Sequence, residues 1–165
     1  MLNISGILDR SAEKWPDKKF LIFNDNITTF EGFRKRVLLW VSYLRKNGIK
    51  KGDVVSIFSK NRPEMLELWM ATSRIGALYS PYNFNLKHEE IRTLVNDSKP
   101  SMLFSDSALR GGLDTKIIEF DKVSLEDHDD FVNETDPEDV STLLYTSGTA
   151  SSTTVAPTFM KPRNV

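Results

Sequence analysis

The stretch Val54–Phe58 reads VVSIF, and it decides the fold. Nearly all of its residues are apolar and either β-branched or aromatic, which is the pattern of a strand covered on both faces. Before it, apolar residues recur at helical spacing from Phe30 to Leu44. After it, a second helical pattern runs through Trp69 and stops near Gly76. A buried strand between two helices predicts a sheet with helices packed against it.

The alternation of strand and helix patterns extends over the rest of the chain. A helical spacing over Ile4–Trp15 is closed by Pro16, and a small hairpin is predicted around Asn24–Asn26. Further strands are predicted at Leu78–Pro81, Ser101–Ser105, Lys116–Phe120 and Ser141–Tyr145, and a further helix at Leu86–Val95. Strands joined in this way need right-handed crossovers. We predict an α/β fold with a doubly wound, mainly parallel sheet, helices on both faces, and Val54–Phe58 and Met102–Phe104 as interior strands.

The starts of two helices carry recognisable capping signals. Thr28 and Glu31 have the spacing of a capping box, as have Asn61 and Glu64. Pro63 suits the first turn of the second helix, where its missing N–H costs nothing. We therefore predict that Thr28 and Asn61 cap these two helices.

The composition is that of one globular domain with a proper core. The chain has 165 residues, of which 39% are hydrophobic and 27% charged. A net charge of -1 and a pI near 6.1 give no electrostatic reason to expect a nucleic-acid partner. There is no cysteine, no apolar run near the ~20 residues of a transmembrane segment, and no signal-peptide layout at the start. We expect a cytoplasmic protein without disulfides.

The segment Leu143–Thr149 is the strongest candidate for a binding site. Its start reads as the end of a buried strand, and Thr146, Ser147, Gly148 and Thr149 follow. Gly148 allows consecutive N–H groups to point into one concavity, and the three hydroxyls add donors that suit phosphate oxygens. The alternative is an ordinary polar turn after a strand.

Two other parts of the sequence place a histidine next to carboxylates. The acidic stretch Glu126–Asp139 surrounds His128, which allows a metal site, although an acidic solvated linker has the same composition. His88 stands beside Glu89 and Glu90 at the start of a predicted helix, where a solvated polar residue is ordinary. No serine–histidine–aspartate set and no paired carboxylates stand out, so the sequence names no catalytic residue and no metal ligand.

The order of the motifs resembles the adenylate-forming superfamily, which includes acyl-CoA synthetases, firefly luciferase and the adenylation domains of peptide synthetases. The motifs that carry the resemblance are Thr28–Glu31, Gly48–Val55, Asn61–Glu64, Arg74–Asn83, Asn96–Pro100, Ser105-Asp106, Asp136–Asp139 and Leu144–Thr149. From about Ile7 to Thr149 they all fall in family order. The alternative is an unrelated α/β domain.

The resemblance implies a two-step reaction and a role for the polar loop. In the family a carboxylate attacks the α-phosphorus of ATP, which yields an acyl-adenylate and pyrophosphate, and a thiol, commonly coenzyme A, then takes the acyl group. ATP with Mg²⁺ and coenzyme A are thus the implied cofactors. Thr146, Ser147, Gly148 and Thr149 would hold the β- and γ-phosphates. The pattern is closest to acyl-CoA synthetases, which implies a carboxylic acid substrate and favours a fatty acid.

The chain departs from the family pattern after Thr149. The family loop continues with a second glycine and a lysine, whereas here the sequence becomes Ala150–Pro157 and no lysine follows until Lys161. We therefore divide the chain into an N-terminal α/β part, residues 1–149, and a divergent tail, residues 150–165, which we expect to be irregular.

Two interpretations of the whole chain stay open. In one, it is the N-terminal portion of a carboxylic acid–CoA ligase, and in the other a non-catalytic truncated module that binds a partner. The family's later motifs for adenine, ribose, magnesium and the catalytic lysine are not found in it, so we expect the isolated chain to be inactive. A sheet that stops after Ser141–Tyr145 would leave an unpaired edge, which predicts self-association or binding of a complementary polypeptide.

Overall fold

The computed structural model describes residues 4–109, 111–126, 135, 139–146 and 156–160. Each predicted helix and strand is present, with its ends shifted by one to three residues at most. In chain order the elements are α1 (Ile4–Lys14), β1 (Lys19–Phe23), β2 (Asn26–Thr29), α2 (Phe30–Lys46), β3 (Val54–Phe58), α3 (Pro63–Ile75), β4 (Leu78–Tyr82), α4 (His88–Ser98), β5 (Met102–Ser105), β6 (Ile117–Glu119), a short 3₁₀ helix (Phe120–Lys122), β7 (Thr142–Thr146) and β8 (Ala156–Met160).

Six strands of the described part of the chain form one sheet, in the order β6-β5-β3-β4-β7-β8. The first five run parallel to one another, and β8 pairs antiparallel with β7. Strands β1 and β2 form a separate antiparallel hairpin. The predicted mainly parallel sheet is confirmed, and β3 and β5 both lie in its interior.

Helices cover both faces of the sheet. On one face, α2 and α3 pack over Val55 and Ile57 of β3, and both of these side chains are fully buried. On the other face, α4 packs Ile91 and Leu94 against Leu103 of β5. Successive residues of a strand point to opposite faces of the sheet. A strand that is buried on both faces therefore needs a nearly continuous run of apolar residues. Helix α3 connects β3 to β4 across one face, and α4 connects β4 to β5 across the other. The sheet is therefore doubly wound.

A buried polar contact joins α2 to α3 inside this core. Glu67 of α3 is 4% exposed, and its carboxylate accepts two hydrogen bonds from Arg36 at 3.1 and 3.2 Å. The same carboxylate accepts the indole N–H of Trp40 at 2.6 Å. The carboxylate is therefore paired with an opposite charge and a neutral donor, which offsets the cost of its burial.

Both predicted capping boxes are wrong in their details. Strand β2 extends through Thr29, so Thr29 and not Thr28 caps α2, and its hydroxyl accepts the Gly32 N–H at 3.1 Å. Glu31 instead accepts hydrogen bonds from Arg34. At α3 the N-cap residue is Arg62 rather than Asn61, with Pro63 in the first turn as predicted.

The tail contains regular structure that the sequence did not predict. The segment 150–165 was expected to be irregular, yet Ala156–Met160 forms β8. Its pairing with β7 also corrects the expectation of an open edge, because Ser141–Tyr145 lies between β4 and β8. A segment with low helical and strand periodicity can still form a strand when an existing strand offers unpaired N–H and C=O groups.

Candidate functional site

The predicted phosphate loop connects β7 to β8. Thr146 is the last residue of β7, and it stands opposite Ala156, the first residue of β8. Because β7 runs parallel to the main sheet, Thr146 lies at the carboxyl edge of that sheet. Ser147, Gly148 and Thr149 lie outside the described residues, and Thr146 is described by its backbone alone. The loop prediction for these four residues therefore stays a prediction.

The carboxyl edge next to Thr146 contains a topological switch point. Strand β3 continues into α3 on one face, whereas its neighbour β4 continues into α4 on the other. Adjacent strands whose connections leave to opposite faces open a crevice at their carboxyl ends, where ligands of open α/β sheets bind. Phe58 and Phe84 stack there with ring centroids 5.4 Å apart, and the Lys60 ammonium lies 5.3 Å from the Phe84 centroid.

Tyr145, directly before the predicted loop, is tied to the last turn of α4. Its hydroxyl donates to the Asp97 carboxylate at 2.7 Å, and its ring meets the Tyr82 ring edge to face at 6.2 Å. Burial, and then the hydrogen bond to Asp97, raise the pKa of the Tyr145 hydroxyl. The neighbouring Ser98 donates to the Leu94 carbonyl, so it accepts its 2.6 Å hydrogen bond from Tyr82.

A charged cluster lies at the carboxyl ends of β3 and β5. Asp106 accepts hydrogen bonds from the Ser59 hydroxyl, the Lys60 backbone N–H and the Arg62 guanidinium, at 2.6, 2.8 and 3.1 Å. Arg62 also pairs with Glu64 at 3.0 Å. Burial would raise the pKa of Glu64, but the interaction with Arg62 outweighs this effect and the pKa is lowered. The cluster fixes the start of α3 against the loop that follows β5.

An apolar cavity of about 530 Å³ opens between α3, the β1–β2 hairpin and strands β4 and β7. Apolar and aromatic side chains form most of its wall, among them Leu21, Leu66, Trp69, Tyr79 and Leu144. The Trp69 indole N–H crosses to the Thr142 hydroxyl at 3.0 Å. Burial raises the pKa of the Tyr79 hydroxyl. The cavity offers an apolar surface and no described carboxylate at its wall.

The remaining candidates have no described metal geometry. Among the described residues, no three histidine, cysteine, aspartate or glutamate side chains gather as a metal site would require. His88 begins α4 and is partly exposed. Most of the acidic stretch around His128 lies outside the described residues, although Asp139 pairs with Lys51 at 2.6 Å. No helix in the described part of the chain has the length and apolar character to cross a membrane.

The sequence did not predict the contacts made by these side chains, although most of these residues lie in its motifs. Asp97 and Asp106 stood in motifs that carried the resemblance, without a role. Their partners, Tyr145 and Ser59, lie 48 and 47 positions away in the chain. No local spacing predicts such pairs. The sequence shows only that Asp97 follows a predicted helix and that Asp106 follows a predicted strand.

Comparisons with known proteins match nearly the whole chain. The family model described as AMP-binding enzyme covers residues 8–152. The chain is 34% identical to the 2-succinylbenzoate–CoA ligase of Geobacillus kaustophilus over 125 residues, which is 73% of this chain and 26% of that protein. It is 28% identical to bacitracin synthase 2 of Bacillus licheniformis, over 88% of this chain and 6% of that protein.

Solved structures share the fold. The N-terminal subdomain of Klebsiella oxytoca NpsA, in complex with 3-hydroxybenzoyl-AMSN, superimposes with a TM-score of 0.84 at 21% identity, over 98% of this chain and 41% of that one. The O-succinylbenzoate coenzyme A synthetase of Bacillus subtilis, in complex with AMP, gives 0.80 at 24% identity, over 93% and 41%. The chain thus spans less than half the length of these relatives. By its match over residues 8–152, the chain belongs to the family of AMP-binding, adenylate-forming enzymes.

Proposed function

We propose that the chain is the N-terminal portion of an ATP-dependent carboxylic acid–CoA ligase that works through an acyl-adenylate. In this proposal Thr146, Ser147, Gly148 and Thr149 hold the β- and γ-phosphates of ATP. The observation that carries the proposal is the position of Thr146, which ends a parallel strand at the carboxyl edge of the sheet, beside the switch point. This edge is where open α/β sheets bind their ligands.

The chemistry asks for hydrogen-bond donors at this edge. A carboxylate oxygen forms a bond to the α-phosphorus, the bond from that phosphorus to the bridging oxygen breaks, and pyrophosphate leaves with the negative charge. Donors aimed at the leaving phosphates stabilise this charge as it develops. A hydrogen bond to a charged group contributes about 1.5–3 kcal/mol, and the loop's three hydroxyls and its N–H groups supply several.

Magnesium would share the phosphate charge in the complete enzyme. Bound Mg²⁺ neutralises phosphate oxygens and is commonly held through one or two carboxylates. The described residues present no set of ligands for it, so no residue of this chain is assigned to the metal. The same holds for coenzyme A, for which the described residues offer no identified site.

The acyl substrate we propose is a carboxylic acid, and a fatty acid is the narrower form of this proposal. Two CoA ligases among the relatives, named for 2-succinylbenzoate and 4-hydroxybutyrate, support the broader class. A protein named as a long-chain fatty acid transport protein, from Mus musculus, supports the narrower one at 25% identity. The cytoplasm is the compartment that fits such a ligase.

A titration with inorganic pyrophosphate tests the loop directly. The chain is labelled with ¹⁵N, and amide shifts are followed as pyrophosphate is added, first alone and then as the magnesium complex. We expect saturable shifts centred on the amides of Thr146 to Thr149. Gly148→Val should abolish them, because the β-branched side chain restricts the backbone and fills the concavity.

A matched glycine provides the control. Gly111 has open space around the position of a Cβ atom, so Gly111→Val should fold normally and bind pyrophosphate like the parent chain. Shifts spread evenly over the surface, or equal binding by Gly148→Val, would contradict the phosphate loop. The family's later motifs for adenine, ribose, magnesium and the catalytic lysine are not found in this sequence. We therefore also expect that the isolated chain does not release pyrophosphate from ATP in the presence of a carboxylic acid.

The second candidate is a non-catalytic module that binds a complementary polypeptide. The observation that favours it is the apolar cavity of about 530 Å³, with Leu66 36% exposed beside it. A contiguous apolar surface of this kind is typical of interaction sites. The occupant would correspond to the part by which the solved N-terminal subdomains exceed this chain, which covers 41% of them.

A further inference from the structure

The strand that leads into the predicted loop is paired with β8 over all five of its residues, but its pairing with β4 is short. Among the described residues, β4 and β7 share one register pair, Tyr79↔Thr142, at their amino ends. The Tyr79 N–H donates there to the Ser141 carbonyl at 3.0 Å. Alternate residues of a strand direct their N–H groups to the same neighbour, so the next donor toward β7 would come from residue 81. That residue is Pro81, which has no N–H.

Side chains join the carboxyl half of β7 to β4 and α4. The Tyr145 ring packs edge to face on Tyr82, the last residue of β4. Its hydroxyl donates to Asp97 in the last turn of α4 at 2.7 Å. Both contacts lie one residue before Thr146. Helix α4 is itself fixed to the sheet by the buried Ile91 and Leu94, so Asp97 is a firm anchor.

We propose that the hydrogen bond from Tyr145 to Asp97 is a positioning contact that sets where the phosphate-binding residues begin. Tyr145 itself touches no phosphate. It holds the end of β7 against α4, beside the point where Pro81 of β4 has no N–H to donate toward β7. The inference rests on the proposed function for its ligand, inorganic pyrophosphate, but the positioning of the strand end is a separate property of the chain.

Four variants separate positioning from general stability. Tyr145→Phe keeps the ring and removes the hydroxyl. Tyr82→Phe is the matched control, because it removes the other tyrosine hydroxyl that bonds the last turn of α4, at Ser98. Asp97→Ala removes the acceptor, whereas Asp97→Asn keeps an oxygen that can accept from Tyr145. Two quantities are measured in the purified full chain: hydrogen exchange of the Tyr145 and Thr146 amides without ligand, and the affinity for pyrophosphate.

We expect Tyr145→Phe and Asp97→Ala to speed exchange at these two amides and to weaken pyrophosphate binding by about fivefold, the equivalent of one hydrogen bond. Asp97→Asn should restore both to within about twofold of the parent. Tyr82→Phe should lower the thermal midpoint and leave both quantities near the parent values.

The contrary results are equally definite. Parent-like exchange in Tyr145→Phe, or equal effects in Tyr82→Phe, would overturn the positioning role. A failure of the parent chain to bind pyrophosphate would remove the proposed function, while the exchange comparison would still decide whether Tyr145 holds the strand end. If Tyr145→Phe does not fold, Asp97→Ala against Asp97→Asn makes the same comparison.

Discussion

Asp106 shows how one carboxylate organises the carboxyl edge. Burial would raise the pKa of Asp106, but the hydrogen bonds from Ser59, the Lys60 N–H and Arg62 outweigh it and lower the pKa below the ordinary value of an aspartate. A group whose folded pKa is lowered stabilises the folded state above its unfolded pKa, and this stabilisation is lost as the pH falls through the folded pKa. The contribution of Asp106 should therefore be complete at neutral pH.

Asp106→Asn tests this at the level of one residue. We expect the variant to lose about 1 kcal/mol of unfolding free energy at pH 7, a modest value because the carboxylate is partly exposed and screened. The difference between parent and variant should shrink below about pH 4, where the unfolded carboxyl group protonates. Denaturant unfolding at a series of pH values measures it. Asp114→Asn, at an exposed aspartate, is the control, and a difference that does not change with pH would contradict the account.

At the scale of one element, α3 shows how a local signal and a tertiary contact coincide. The helix ends at Ile75 and is capped by Gly76, whose φ of 79° lies in the left-handed region that glycine tolerates best. The carbonyl of Gly76 accepts the Gly52 N–H at 2.9 Å. A Cβ atom at Gly76 would stand 3.0 Å from Lys51 and 3.1 Å from Thr135. The end of α3 is therefore packed under the turn that begins β3.

Gly76→Ala should destabilise the chain for both reasons. The left-handed backbone costs a non-glycine residue about 1–2 kcal/mol, and the close side chains add a smaller amount. Thermal or urea unfolding would give the change in unfolding free energy. Gly111→Ala is the matched control, because no described atom beyond its own chain neighbours lies within 4 Å of its Cβ position, and it should stay within about 0.5 kcal/mol of the parent. Equal stability of Gly76→Ala and the parent would disprove the strain.

At the scale of the whole molecule, the surface that is open to partners differs from the sheet edge that the sequence predicted. Strand β7 is not an edge, since β8 covers it. Among the described residues, an apolar surface is open at the cavity between α3, the hairpin and β7, with Leu66 at 36% exposure. We therefore expect any self-association of the chain to depend on the cavity and not on the edge of β7.

Leu66→Glu tests this expectation. A carboxylate at this position would have to lose water to enter an apolar contact, which is unfavourable without a partner. We expect the parent chain to form oligomers at high concentration in light scattering, and Leu66→Glu to shift them toward the monomer. Ile7→Glu, at a side chain 55% exposed on α1, should have no such effect. A monomeric parent chain would favour a self-sufficient module. Equal effects of the two variants would contradict the cavity as the contact surface.

The sequence by itself determined the helices and strands from α1 to β7 and their order. Apolar runs of period two and period 3.6 depend on neighbouring residues only, so VVSIF at Val54–Phe58 and the helical spacing of α2 could be interpreted without the fold. The motifs that indicated the family are also short local runs, and their order is the order of the chain itself. Cap positions were missed by one residue, at Thr29 and Arg62, because the preceding strand or loop decides where a helix begins.

Only the tertiary structure decided the contacts that join distant segments. Asp97 meets Tyr145 and Asp106 meets Ser59 across nearly fifty positions, because strand order and helix packing bring those ends together. The strand β8 forms for a similar reason, since its partner strand supplies the hydrogen bonds that its own sequence does not announce. Local patterns record the burial of a segment, whereas the choice of its neighbours is made by the closure of the whole sheet.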